Sequence, residues 1–414
     1  MTWRSFAAAV LAACAVGLTH CPAAEESAKP AAGEAAQSAI EYVPLDAPAG
    51  MSQAVIVQGV PLVHTRQLLP LDASGKLVGG SADEQIEQTL SNLETVLKDC
   101  GSGLNKLVRL NIYALAPTTV TRVRELLAKR LDGSARPAIT SILTPLTQRG
   151  ALVALDAVAA GAGGGKDVAL KRCEAVAGDK SAADAAILPT GGVAYLSGQP
   201  DDGGLTESAV TRSMSKLMTT LGHLKLSPKQ VVQLKIFVRP VTSSEDVLAE
   251  VRKFFPDQTL PPVVFVEWLA AVPVEIEMIA QLPLEGKAEE NLEYYTPPEV
   301  RPSNTFSKVA LVRTDRQIYI SGQYARQPSR GEAQAKFVFD QLQEILKKTG
   351  SDMRHMAKAM YYVCDDDAAR WVDRTRPLVF DPDRPPAASK VMVHGMGMEQ
   401  RTMTVDMIAV QSGK

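Results

Sequence analysis

Ala194-Tyr195-Leu196-Ser197-Gly198-Gln199 and Ile318-Tyr319-Ile320-Ser321-Gly322-Gln323 are one motif written twice, and Leu62-Val63-His64-Thr65-Arg66-Gln67 is a third, more divergent copy. Each is an apolar, strand-like run closed by a polar tripeptide that ends in glutamine. A polar turn follows, then an amphipathic helix pattern, near Ala82 to Asp99, Leu205 to Leu221 and Gly331 to Lys348. In the first of these, Ile86, Leu90, Leu93, Val96 and Leu97 recur three and four apart, which is one buried helix face. The next strand reads KLVRLNIYAL from Lys106, QVVQLKIFVR from Gln230 and RHMAKAMYYV from Arg354; matching Ile112, Ile236 and Met360 gives equal spacings of 124 residues. Second helices begin near Thr118, Ser243 and Asp366, residue types whose side-chain oxygens accept from free helix amides. The closing strands are LVALDAVA from Leu152, VEIEMIA from Val274 and MTVDMIA from Met403, with an acid at one shared position.

Order, spacing and wording therefore agree on three α+β repeats. They span residues 40–160, 166–284 and 292–412, joined by a glycine-rich linker (161–165) and a charged one (285–291). Each repeat is expected to form a mixed sheet with two helices on one face. The other face must be buried against something. Linkage raises the effective concentration of the repeats to about millimolar, so they should find each other before a second chain does. The expected architecture is a monomeric, intramolecular pseudo-trimer.

Composition narrows the function. Of 414 residues, 46% are hydrophobic and 22% charged, as in ordinary globular protein. Lysine plus arginine number 44 against 46 acids, a net charge of −2, so there is no general attraction for nucleic acid and none is expected as partner. At the N-terminus, Arg4 precedes an apolar run from Phe6 to Leu18, followed by Cys21-Pro22-Ala23-Ala24. This reads as a secretory signal peptide over residues 1–24, with a low-complexity leader over 25–39, and implies a periplasmic or secreted protein. The run is too short for a permanent transmembrane anchor. Leu18-Thr19-His20-Cys21 loosely resembles a lipobox, but His20 is bulky where a small residue is expected, so lipidation of Cys21 is the lesser alternative. Beyond the leader, Cys100, Cys173 and Cys364 are odd in number and widely spaced, and His64, His223, His355 and His394 are scattered. Neither a disulfide framework nor a metal site follows. Gly161 to Gly165 lacks the lysine and helix of a phosphate loop, so no cofactor is implied.

The repeats resemble the Rid (YjgF) family of imine deaminases, whose fold is chorismate-mutase-like. Met51-Ser52-Gln53-Ala54-Val55 is similar to the family's tyrosine-Ser-Gln-Ala-Val opening, Leu71 to Val78 to its hairpin turn, and Gln85 to Leu97 to its QxxQxLxNLxxVL helix. Ser197-Gly198-Gln199, Ser321-Gly322-Gln323 and VEIEMIA from Val274 match its SGQ and VEIEAIA segments. The resemblance implies small-molecule clefts between neighbouring units. It further implies an arginine in a Pro-Ala-Arg-Ser segment that grips the substrate carboxylate, since guanidinium offers a matching planar fork. A glutamate in the final strand would position the attacking water, and a tyrosine near the start would line the pocket.

The chain departs from that pattern in each repeat. Ile139 and Ala388 stand at the arginine position, and Leu260-Pro261-Pro262-Val263 supplies no cation in the second repeat. The glutamate survives as Glu275, with Ala154 and Thr404 as counterparts; Met51 and Phe306 replace the tyrosine. Ser197, Gly198, Ser321 and Gly322 are pocket-lining candidates without a neighbouring base to activate a nucleophile. Arg66 occupies the place that Gly198 and Gly322 hold, so it either reaches into a cleft as a substitute cation or is a solvated strand-end charge. Glu275 is likewise either catalytic or one residue of a half-buried strand.

Losing the carboxylate clamp from a buried site costs several kcal/mol of binding. The expected function is accordingly an exported, triplicated binding protein of this family, degenerate for standard imino-acid deamination, with clefts holding an apolar or uncharged small molecule. The alternative is an imine/enamine deaminase-like hydrolase acting on a non-standard substrate through Glu275. A third reading, from the family's older association with ribonuclease activity, is disfavoured by the balanced charge and the lack of a paired acid/base histidine set.

Overall fold

The computed structural model describes residues 39–131, 133–163, 165–284 and 290–412. The expected signal peptide and leader, and most of the charged linker, lie outside the described residues. The first repeat contains β1 (Ile40–Val43), β2 (Ala54–Gln58), β3 (Leu62–Thr65), α1 (Ala82–Asp99), β4 (Leu107–Ala114), α2 (Pro117–Leu131), β5 (Ala138–Leu143) and β6 (Val153–Ala160). The second contains β7 (Ala169–Lys171), β8 (Ala185–Leu188), β9 (Gly192–Asp201), α3 (Ala209–His223), β10 (Val231–Val238), α4 (Ser244–Arg252), β11 (Val263–Glu267) and β12 (Val274–Leu282). The third contains β13 (Leu292–Tyr295), β14 (Val309–Val312), β15 (Arg316–Gln323), α5 (Gly331–Lys348), β16 (Met356–Val363), α6 (Asp366–Val379), β17 (Ala387–Met392), β18 (Gly395–Met396) and β19 (Met403–Val410).

Local chemistry sets several of the helix starts, although Ser243 makes no capping hydrogen bond to α4. Ser81 accepts from Glu84 N while the Glu84 carboxylate accepts from Ser81 N at 2.7 Å, a reciprocal capping box that starts α1. Asp365 caps α6 by accepting from Ala368 N at 2.7 Å, so the cap is the residue before Asp366. Helix α3 starts at Ala209 instead of Leu205, whose side chain is fully exposed, because residues 202–207 make the turn into it.

The strands form three mixed sheets, ordered β18-β5-β4-β6-β3-β8-β7, β11-β10-β12-β9-β14-β13 and β1-β2-β15-β19-β16-β17. Each sheet draws on two neighbouring repeats. The opening hairpin β7–β8 of the second repeat pairs with β3 of the first, through Val63↔Ile187. Hairpin β13–β14 of the third pairs with β9 of the second, through Tyr195↔Ala310. Hairpin β1–β2, at the start of the first repeat, pairs with β15 of the third, through Tyr319↔Val55. The exchange is cyclic and closes the three repeats into an intramolecular pseudo-trimer.

Each sheet has a helix-side core, exemplified by Leu90, Leu93 and Leu155 in the first, Leu217 and Ile276 in the second, and Leu342 and Val405 in the third. The opposite faces meet in a shared interior. Val55, Val158, Tyr195, Ile279, Tyr319 and Ile408 pack at one end, and Tyr113, Phe237, Val266, Tyr362 and Val391 at the other. Each such fully buried aliphatic side chain contributes about 1.5–3 kcal/mol relative to exposure. This is what the sequence's two-faced strands require.

Register corrects one equivalence. Asn111 pairs with Asp156, Lys235 with Glu277 and Met360 with Asp406. Met360 therefore corresponds to Asn111 and Lys235, while Tyr361 matches Ile112 and Ile236. The third repeat is one residue longer at this point, and a one-residue slip reverses every side chain. Tyr361 accordingly faces the helices, and Met360 faces the shared interior.

Between the two apolar ends runs a charged belt. Arg109 of the first repeat pairs with Asp406 of the third at 3.0 Å, and Lys358 of the third pairs with Glu277 of the second at 2.6 Å. Asp156 accepts from Asn111 Nδ2 at 2.8 Å and from the Tyr113 hydroxyl at 2.6 Å. His64, at the position held by Tyr195 and Tyr319, is buried, and neither ring nitrogen is hydrogen-bonded among the described residues. Burial, reinforced by the charges of Lys358 and Arg109, holds its pKa down at about 3, so it is neutral.

Candidate functional site in the clefts between repeats

Three crevices lie where the last residues of β3, β9 and β15 meet the following repeat in the cycle. Backbone hydrogen bonds align them: Arg66 N donates to Asp184 O, Ser197 N to Lys308 O and Ser321 N to Gln53 O, each at 2.9 Å. Arg66 thus stands at the serine position, and Gln67 takes the place of Gly198 and Gly322. This revises the sequence alignment, which put Arg66 opposite the glycines.

Ser321 Oγ donates to Ser52 O at 2.6 Å and accepts from Ile139 N at 2.9 Å. Ser197 Oγ donates to Ser307 O at 2.5 Å and accepts from Ala388 N at 2.8 Å. Both hydroxyls are staples between repeats. The glycines beside them leave room for the closing strand: a Cβ on Gly198 would overlap Glu275 Oε1, and one on Gly322 would sit 2.9 Å from Thr404 Oγ1. In the first cleft the closing strand offers only Ala154, and Gln67 fills the space, donating from Nε2 to Phe265 O at 2.9 Å.

The first cleft, between repeats one and two, is occupied by its own side chains. Arg66 donates from Nε to Asp184 Oδ1 at 2.6 Å, from Nη2 to Ala177 O at 2.6 Å and from Nη1 to Gln67 O at 2.9 Å. Asp184 also pairs with Arg172. The whole Arg66 fork is committed to this network.

The second cleft, between repeats two and three, gathers Ser197, Gly198, Glu275, Phe306 and Ala388, with Lys308 and Ser389. Burial pushes the Glu275 carboxyl up to about 7, against the Ser389 hydroxyl and the Lys308 charge, with Glu277 adding to the rise. Lys308 Nζ lies 5.0 Å from the Phe306 ring centre. The strand register places Val263 at the arginine position of the filled cleft, as Ile139 and Ala388 are in the other two.

The third cleft, between repeats three and one, holds a cavity of about 400 Å³, within the size range of small-ligand sites. Met51, Ile139 and Gly322 line it as nominated, joined by Gln53, Ser141, Tyr324 and Met398. Its walls also include Arg124, from α2, which makes no hydrogen bond or ion pair among the described residues. Burial lowers the pKa of Arg124, beside Tyr324. Asp46 at the rim is neutralised by Arg326, so Arg124 leaves the cleft with positive charge. Motif comparison missed Arg124 because it searched the strand after α2 for the cation, not the helix itself. Lys308 was visible in Phe306-Ser307-Lys308 set against Met51-Ser52-Gln53.

The nominated residues are thus divided among three unlike crevices. Among the described residues no group of three or more His, Cys, Asp or Glu side chains is arranged to hold a metal ion. Comparison with known proteins finds relatives that each match part of the chain. Protein mmf1, mitochondrial, of Schizosaccharomyces pombe is 29% identical over 110 residues, covering 26% of this chain and 66% of that protein. Protein mmf2, mitochondrial, of the same yeast is 31% identical over 88 residues, 21% of this chain and 70% of that protein. Among solved structures, the Rid-family protein YyfB from Yersinia pestis aligns over 30% of this chain and 99% of its own, at 23% identity and a TM-score of 0.27. The profile described as Endoribonuclease L-PSP matches residues 44–161 and 297–411. Those two stretches make up more than half of the chain, which belongs to the Endoribonuclease L-PSP (Rid/YjgF) family.

Proposed function

We propose that this protein is an exported small-molecule binder whose working cleft lies between the third and first repeats, and that its ligand is a small organic anion with an apolar body. The observation that carries this reading is the uncommitted Arg124 fork in the wall of that cavity. Met51, Ile139 and Met398 supply apolar contact, and Gly322 lines the cavity beside Thr404. The ligand expected from the sequence was apolar or uncharged; Arg124 reverses that, because a half-buried guanidinium without a counter-ion favours a carboxylate or similar group. Thr404 stands in this cleft where Glu275 stands in its neighbour, so binding without imine hydrolysis is the function favoured.

Calorimetric titration with a panel of short 2-oxo acids and dicarboxylates tests the reading. Arg124→Gln should weaken binding about 10- to 100-fold, the worth of a charge-assisted hydrogen bond. No binding by any member, or equal binding by the variant, would overturn it. The second reading, hydrolysis at Glu275, is favoured by that carboxyl's elevated pKa, which suits proton transfer near neutrality. Enzymatically generated 2-iminobutanoate separates the two. The binding reading expects no accelerated ammonia release; acceleration that disappears in Glu275→Gln would replace it with a hydrolase.

The cyclic strand exchange satisfies each sheet within one chain, so the protein is further proposed to act as a monomer outside the cytoplasm. Light scattering and mass spectrometry of the exported product should give one chain per particle, without residues 1–24. Three chains per particle, or an unprocessed N-terminus, would refute this.

A further inference from the structure

The cleft between the second and third repeats holds a lysine, Lys308, that neither the cavity beside Arg124 nor imine hydrolysis at Glu275 uses. Lys308 sits just before β14, and its backbone oxygen receives Ser197 N at 2.9 Å, which fixes the residue at the cleft wall. Its amine is half-buried against the Phe306 ring and makes no ion pair among the described residues. Glu275, whose carboxyl feels the Lys308 charge, is wedged beneath Gly198, the residue after Ser197, where only a hydrogen atom in place of a side chain leaves room for the carboxyl. Ser389 Oγ would be 2.6 Å from a Cβ at Gly198 and donates to Glu277 Oε2 at 3.0 Å, so it lies between the two acids. At the corresponding positions of the other clefts, Asp184 is locked in the Arg66–Arg172 network, and Gln53 donates to Asp46 and accepts from Gln323, with Thr404 in place of the acid. This amine and acid occur together only here among the three.

We infer that Lys308 and Glu275 form a carbonyl-capturing site, in which the Lys308 amine condenses with a small aldehyde or ketone to give an imine. The Nζ lone pair attacks the carbonyl carbon, the new C–N bond forms, the C=O π electrons move onto oxygen, and one of the two nitrogen protons passes to that oxygen to give a neutral carbinolamine. Glu275 then donates its proton to the hydroxyl, which departs as water, and recovers one proton from the nitrogen as the C=N bond forms. No oxidant or reductant is consumed. Both groups are biased toward the required forms. Burial, with the charge of Lys216, lowers the Lys308 pKa, and burial raises that of Glu275. A carboxylic acid kept protonated near neutral pH can donate, and an amine with a lowered pKa can attack.

The test uses the full chain with limiting propanal and cyanoborohydride, which reduces the imine to a stable secondary amine, followed by peptide mapping. Lys308 should label about tenfold faster than exposed Lys336, because an amine held nearer its neutral form is the nucleophile. Lys308→Arg, which keeps the charge, should remove that label and leave Lys336 unchanged. Glu275→Gln should slow Lys308 about tenfold or more, as loss of a positioned acid does, without affecting Lys336. Equal labelling of Lys308 and Lys336, or an unchanged Lys308 rate in Glu275→Gln, would overturn the inference. Because the site lies in a different cleft, its failure leaves the Arg124 reading untouched, and the reverse holds.

Discussion

Lys358→Met is expected to lower the unfolding free energy by about 3–5 kcal/mol, the cost of leaving a buried carboxylate without its counter-ion. Lys358 and Glu277 sit 2.6 Å apart with side-chain exposures of 12% and 3%, so neither is rescued by solvent. Burial already lowers the Lys358 pKa, with nearby Lys235 adding to the effect and Glu277 opposing it. Once the lysine is gone, Glu277 keeps the Ser389 hydroxyl, at 3.0 Å, as its hydrogen-bond partner, and the neighbouring Lys235 charge replaces only part of the lost pairing. The double variant Lys358→Met, Glu277→Leu should recover most of the loss, because removing both partners also removes both desolvation costs. Denaturant unfolding of wild type, both single variants and the double variant gives the coupling energy directly. A single-variant loss below about 1 kcal/mol would mean that the pair behaves like a solvent-exposed one.

This pair also shows what joining three repeats in one chain permits. A homotrimer repeats every residue three times around its axis, so a lysine at the position of Lys235 would gather three like charges in one interior. Here the corresponding positions are Asn111, Lys235 and Met360, and those one pleat away are Arg109, Gln233 and Lys358. Against them stand Asp156, Glu277 and Asp406. The Arg109–Asp406 and Lys358–Glu277 pairs each cross between different repeats, so the interior charges have definite partners instead of symmetric ones. The same freedom lets one cleft fill with Gln67, one acquire an amine opposite an acid, and one stay open beside Arg124.

Much of this was legible in the sequence because it is local. The helices Ala82–Asp99 and Gly331–Lys348 follow from their apolar period and flanking polar residues, and the three-repeat order from recurring words. What resisted reading is non-local. The β2 run AVIV has the apolar pattern to pair with β3 or with β15, and nothing within it selects the partner 260 or so residues away in the third repeat. Equal spacing of 124 residues made Met360 look equivalent to Ile236, and only cross-strand register exposes the extra residue. The site divided along the same line. Met51, Ile139 and Gly322 converge as their motifs imply, whereas Arg124 enters from a helix face that strand motifs do not describe. Arg66 stands out in the sequence as a cation where the other repeats have none, but its partner Asp184 lies in another repeat.

Glu275→Gln should make the protein more stable at pH 8 and leave it unchanged at pH 4.5, and the sign follows from the direction of the shift. Burial raises the carboxyl from an ordinary 4.5 to about 7, so the folded state holds this proton over a pH range in which the unfolded chain has released it. Stability from this group is complete below pH 4.5 and is lost as pH rises through 7, a total of about 3 kcal/mol at 1.36 kcal/mol per pKa unit. Glutamine keeps the shape beneath Gly198 and cannot ionise, so the variant escapes that loss. The difference between the two proteins should grow from near zero at pH 4.5 to about 3 kcal/mol at pH 8, measured by urea unfolding in matched buffers. Groups common to both proteins cancel in the comparison, including neutral His64, which acts in the opposite direction at acid pH. Parallel curves for wild type and variant across that range would show that Glu275 ionises as freely in the fold as in water. That result would place the carboxylate in contact with solvent and remove the protonated acid on which the chemistry of the second cleft depends.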